Sequence, residues 1–167
     1  MSTKRLISFE PPSFIQRLNT FKLLLIVLLA NLILSSVFAI LRQKYGYSMD
    51  PKMLNFDSVL EEFIVVVVVA PVFETVVFQY FMITLMLFLA QRFFKRDLAA
   101  FAIILPAICF GFSHTYNNLY VLNTFLAALM INYFYILVKS RNQNAFILTV
   151  ILHALYNFSV FGLKQMA

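Results

Sequence analysis

The chain has 167 residues, of which 62% are hydrophobic and 12% charged, with 20 Phe, no Trp and a formal net charge of +6. Such a composition excludes an ordinary soluble domain, and the basic residues flank the apolar runs, so they read as headgroup contacts and topology signals rather than a nucleic-acid surface. The single cysteine, Cys109, excludes an intrachain disulfide.

At about 20 residues per crossing the length accommodates about five spans, so the expected fold is an all-α, polytopic transmembrane helix bundle. Residues 1–20 carry Lys4, Arg5, Arg17 and the Pro11-Pro12 pair and read as a polar amino-terminal arm, and 21–167 as a single membrane-embedded domain. The first span covers 21–41, and its apolar run exceeds the roughly 7–15 residues of a signal-peptide core, so it is expected to be retained. Residues 42–57 form a polar connection. Asp57 or Ser58 then caps a helix with Glu61 and Glu62 in its first turn, and apolar character continues to Ala90. A helix over 58–90 is roughly 50 Å long at 1.5 Å per residue, longer than the hydrocarbon core, so it must tilt, bend or break. Pro71 is the expected place, because it deprives the Val67 carbonyl of its donor. The valines at 65–69 favour a strand in water, but lipid demands an internally satisfied backbone and helix wins.

A basic turn follows at 92–97, then a third span over 98–113, a fourth over 119–138 and a fifth over 145–162. Tyr116, Asn117 and Asn118 make the short link between the third and fourth. Five spans place the amino terminus and the turns at 92–97 and 139–144 on one side. That side collects Lys4, Arg5, Arg17, Arg92, Lys95, Arg96, Lys139 and Arg141, against Arg42, Lys44, Lys52 and Lys164 opposite. The positive-inside rule therefore puts the amino terminus in the cytoplasm. Tyr133, Phe134 and Tyr135 read as interfacial or lipid-facing packing, and Met82 and Met86 as core filler.

Glu74 is the only charged residue between Glu62 and Arg92. A carboxylate at bilayer depth costs about 2.5–3.5 kcal/mol even on lenient insertion scales, which marks it as a candidate proton, ion or catalytic site. The two histidines also fall in or at the ends of apolar spans: His114 closes the third, with Phe110 four residues before it, and His153 lies in the fifth with Asn157 one turn on. Each, taken alone, can be a polar residue joining helices, worth about 1 kcal/mol. An intramembrane relay for protons or ions is a second reading, although few other ionisable residues line a route across. Glu74, His114, His153 and Asn157 come from three spans and can meet at one depth, which favours a single site. There a carboxylate beside an imidazole is a general base for water, and a second imidazole with an amide can donate to a developing oxyanion.

The segment Ala70-Pro71-Val72-Phe73-Glu74-Thr75-Val76-Val77-Phe78-Gln79 resembles the A-P-x-x-E-E-x-x-F-R signature of the CAAX-protease and bacteriocin-processing family of intramembrane proteases. Phe110 to His114 fits its F-x-x-x-H motif and His153 to Asn157 its H-x-x-x-N motif, in the same order, and the resemblance covers 58–162. It implies an intramembrane endopeptidase in a bacterial cell membrane, acting on membrane-associated proteins or peptides without a covalent enzyme intermediate. Glu74 with His114 would activate water, and His153 with Asn157 would stabilise the oxyanion. No cofactor is expected. Zinc held by Glu74, His114 and His153 is the alternative, since three protein ligands and a water make a catalytic zinc site. A non-catalytic membrane partner of the same fold is the competing function. Two positions depart from the pattern: Thr75 replaces the second glutamate and Gln79 the arginine. Both charges of an (i, i+4) pair are missing together, so the expectation is a neutral hydrogen-bonded pair behind the base, since a lone charge there would be stranded.

Overall fold

A computed structural model describes residues 11–47, 56–94 and 99–166, and among them the regular elements are all helices. The elements are α1 (Ser13–Gln16), α2 (Thr20–Lys44), α3 (Val59–Phe93), α4 (Ala99–Phe112), α5 (Asn118–Ser140) and α6 (Ala145–Met166). Side-chain caps set several starts. Asn19 accepts from the Lys22 amide at 2.8 Å and Asn117 from the Tyr120 amide at 2.9 Å, each satisfying an orphan donor of the first turn. Ser58 is the cap of α3: its hydroxyl accepts from the Glu61 amide at 3.1 Å, while the Glu61 carboxylate reaches back to the Asp57 amide at 2.8 Å.

Four helices, α2, α3, α5 and α6, are long and apolar enough to cross a membrane. The third expected span, 98–113, is α4, whose 14 described residues make about 21 Å of helix against a hydrocarbon core of about 30 Å. Of the tilt, bend or break expected at Pro71, the break does not occur, since α3 runs through it as one helix whose winding changes there. The strain is taken up instead by wide π-helical turns over Ile64–Val69, Thr75–Met82 and Ala90–Phe94, alternating with ordinary α-helix. An i→i+5 turn gives the β-branched run 65–69 more room against the preceding turn and brings Pro71 to the start of the next α-helical segment, where a missing amide is tolerated. Residues 95–97 of the basic turn, residues 1–10 of the arm and residues 48–55 of the 42–57 connection lie outside the described residues.

α5 is the central helix. Phe134, Ile136, Leu137 and Val138 on it are fully buried, and Leu23, Leu24, Ile83, Leu87 and Leu152 from α2, α3 and α6 pack into the same core. The outer helices keep Phe21, Ile33, Phe73, Phe81, Phe88 and Phe158 exposed, the apolar surface a bilayer covers. α4 approaches α5 most intimately where small residues meet: Ala102, Ala107 and Ala128 are buried between them, and a Cβ on Gly111 would lie 2.9 Å from Phe125 Cβ and 3.1 Å from the Val121 carbonyl.

At one end of the bundle the Arg141 guanidinium donates to the Ile15 carbonyl at 3.0 Å and to Thr20 Oγ1 at 3.3 Å, docking α1 and the start of α2 beside the α5–α6 turn. At the other end Lys164 pairs with Glu62, and Ser35 is hydrogen-bonded to Tyr156. The amino-terminal segment and the 139–144 turn thus share an end, as the alternation of spans requires. Gly111→Ala forces Phe125 and the backbone of α5 outward and is expected to cost about 1–3 kcal/mol, read as a lowered Tm in detergent.

Candidate active site

α3, α4 and α6 bring three of the expected residues together. Glu74 Oε1 lies 3.7 Å from His114 Nε2, and Glu74 Oε2 lies 3.3 Å from His153 Nε2, so each carboxylate oxygen faces one imidazole. The side chains of Glu74 and His114 are about one-fifth exposed, at 19% and 20%, whereas His153 is 5% exposed. Water therefore reaches the Glu74–His114 edge, and His153 forms the dry back wall.

The F-x-x-x-H spacing has a local cause. α4 ends at Phe112, and the Phe110 carbonyl in its last turn accepts from the Ser113 amide at 3.2 Å and the Ser113 hydroxyl at 2.8 Å. His114 Nδ1 meets that carbonyl at 2.8 Å, with Ser113 Oγ 3.0 Å from the same nitrogen. A carbonyl only accepts, so Nδ1 carries the proton and the lone pair of Nε2 is turned toward Glu74. The Phe110 ring lies on the His114 ring with centroids 4.5 Å apart, and its centroid is 6.0 Å from that of His153 and 5.1 Å from that of Phe78. One residue thus fixes the tautomer of His114 with its carbonyl and packs against both imidazoles with its ring.

Asn157, one turn beyond His153, does not direct its hydrogen bond to this group. Its Nδ2 donates at 2.8 Å to the Val66 carbonyl on α3. The expected Thr75–Gln79 hydrogen bond is also absent: Gln79 Nε2 donates to Asn132 Oδ1 at 2.9 Å, and Asn132 Nδ2 donates to the Ile103 carbonyl at 2.9 Å. The intervening turn is π-helical, and the wider winding carries positions four apart off a common line. Thr75 and Gln79 are both fully buried behind Glu74.

Residues that the motifs did not mark complete the surroundings. Asn132 is the partner of Gln79, and its signal is an isolated amide in the apolar stretch of α5. Ser113 attends the His114 ring. Tyr120 brings its ring centroid within 6.1 Å of that of His114, and the Arg42 guanidinium lies 5.4 Å from the Tyr120 centroid. A groove of about 490 Å³ beside the 113–117 turn is lined chiefly by Ile108, Gly111, Thr115, Val121 and Phe125, and none of the four expected site residues lines it.

A family model described as type II CAAX prenyl endopeptidase, Rce1-like, matches residues 56–159, more than half of the 167-residue chain. The chain belongs to the Rce1-like family. It is therefore an integral membrane protein of a family of CAAX proteases, and the matched region contains all three motifs. No curated protein and no solved structure matches the chain.

Within that family's pattern the burial of positions 75 and 79 has a consequence. Gln79→Arg places an unpaired cation in a fully buried position and is expected to destabilise the protein by several kcal/mol. Because the π-helical winding separates the two positions, adding Thr75→Glu to Gln79→Arg is expected to recover little of that loss, measured as Tm or folded yield in detergent.

Proposed function

We propose that the protein is an intramembrane endopeptidase that hydrolyses peptide bonds of membrane-associated proteins or peptides with a water activated by Glu74. The observation that carries this reading is the placement of one carboxylate between two imidazole Nε2 atoms, at 3.7 and 3.3 Å, on its water-accessible edge. The longer separation exceeds a direct hydrogen bond, and both facing atoms, Oε1 and the Nε2 lone pair, are acceptors. A water beside them has a proton for each, which orients its own lone pair outward toward a scissile carbonyl. Glu74 takes the proton as the water attacks, with His114 sharing it, and delivers it to the leaving amine. The charge developing on the carbonyl oxygen is met by His153, whose Nε2 faces the same carboxylate from the buried side.

Loss of the base removes the reaction without removing the fold. Glu74→Gln keeps the shape of the side chain but cannot accept the proton, and His114→Ala opens the water site. Each is expected to lower cleavage of a membrane-embedded reporter peptide by at least ~10²-fold with Tm little changed. Wild-type-like turnover in either variant would sink the reading.

We further propose that the reaction needs no metal. The two imidazoles approach different oxygens of Glu74, which leaves the carboxylate free to carry a proton, and among the described residues no group of three His, Cys, Asp or Glu is spaced to hold a metal ion. Full activity is expected to persist after exhaustive chelation. Loss of activity restored by stoichiometric zinc would overturn this.

A further inference from the structure

The hydrogen bond from Asn157 to Val66 answers a gap created by Pro71. In the wide turn of α3 the Ala70 amide is bonded to the Val65 carbonyl, an i→i−5 step. Continued by one residue, the same register would bring the amide of residue 71 to the carbonyl of Val66. Residue 71 is proline and has no amide proton. At this depth an unmet carbonyl is costly, and the donor comes from another helix: Asn157 Nδ2 on α6, at 2.8 Å. Pro71 is itself buried, and Glu74 stands in the α-helical segment Ala70–Glu74 that begins at this point.

We propose that Asn157 is a positioning residue for Glu74, clamping α3 to α6 at the carbonyl that Pro71 leaves open. Pro71 and Asn157 then form one device. The proline ends the wide turn and starts the segment that carries the base. The asparagine fixes that segment against the helix that carries His153, so the 3.3 Å approach of Glu74 Oε2 to His153 Nε2 is set from both helices of the clamp. This inference rests on the hydrolytic reading for its effect on rate, but the clamp itself is independent of it.

The dependence makes a specific test, because Pro71→Ala supplies the missing amide. Asn157→Ala is to be made in the wild-type background and in the Pro71→Ala background, and both pairs compared for Tm in detergent and for kcat and KM on a membrane-embedded reporter peptide. In the wild-type background Asn157→Ala is expected to lower kcat on the order of 10²-fold with KM little changed, the scale of a misplaced reacting group. In the Pro71→Ala background, where the backbone meets the Val66 carbonyl itself, the same substitution is expected to cost less than about tenfold and to lower Tm less. Equal loss of kcat in both backgrounds would overturn the positioning role and leave Asn157 acting directly on the reacting carbonyl. Additive Tm effects would overturn the clamp whether or not the protein hydrolyses anything. If the wild-type chain fails to cleave while the Tm effects are non-additive, the hydrolytic reading falls and the clamp stands.

Discussion

Backbone carbonyls inside a bilayer must find donors within the protein, and in this chain prolines in two of the site-bearing helices withdraw such donors. Pro71 removes the amide that the register of α3 would bring to Val66, and Asn157 of α6 supplies the replacement. Pro106 lies inside α4, and in the turn before it the Ile103 carbonyl receives Asn132 of α5, which in turn holds Gln79 of α3. Helices joined only by apolar contact gain little from the bilayer, since lipid tails are as apolar as the side chains they would replace. Directional hydrogen bonds to proline-freed or proline-adjacent carbonyls give the packing a register, and both of them lead back to the segment of α3 around Glu74.

The short α4 has an equally direct effect on chemistry. A helix of full length would carry its terminal turn out to the headgroups. At 14 residues α4 stops early, and the irregular backbone at 113–117 lies beside Glu74. Non-helical backbone at such depth is tolerated where it is buried in protein or borders water, and the partial exposure of Glu74 and His114 is the wet edge it borders. The Phe110 carbonyl in the last turn of α4 then orients the imidazole. Local helix termination, and not a separate catalytic loop, fixes which nitrogen of His114 faces the carboxylate.

The sequence made the spans, the Ser58 start of α3 and the convergence of Glu74, His114 and His153 legible, because each depends on patterns of few residues: apolar length, a capping serine followed by Glu61, and polar residues at depth. The π-helical winding of α3 was not legible. Its register depends on how the valine run and Pro71 settle against neighbouring helices, and that register decides where Asn157 and Gln79 find partners. The (i, i+4) logic that paired Thr75 with Gln79 assumes 3.6 residues per turn and fails where the helix is wider.

The replacement of a charged pair by Thr75 and Gln79 changes the field at the base more than the architecture around it. Gln79 keeps a donor directed across the helix interface to Asn132, so the tie between α3 and α5 survives without an arginine. A carboxylate and a guanidinium at these positions would have added one negative and one positive charge behind Glu74, in a medium where such charges are weakly screened. Without them, the groups within ion-pair distance of the Glu74 carboxylate among the described residues are His114 and His153. No permanent cation therefore faces Glu74, and His114 meets its carboxylate with the Nε2 lone pair. On the hydrolytic reading proposed above, a carboxylate with no fixed cation beside it holds a proton at less electrostatic cost than one locked in an ion pair, which suits a group that takes a proton from water and returns it to an amine.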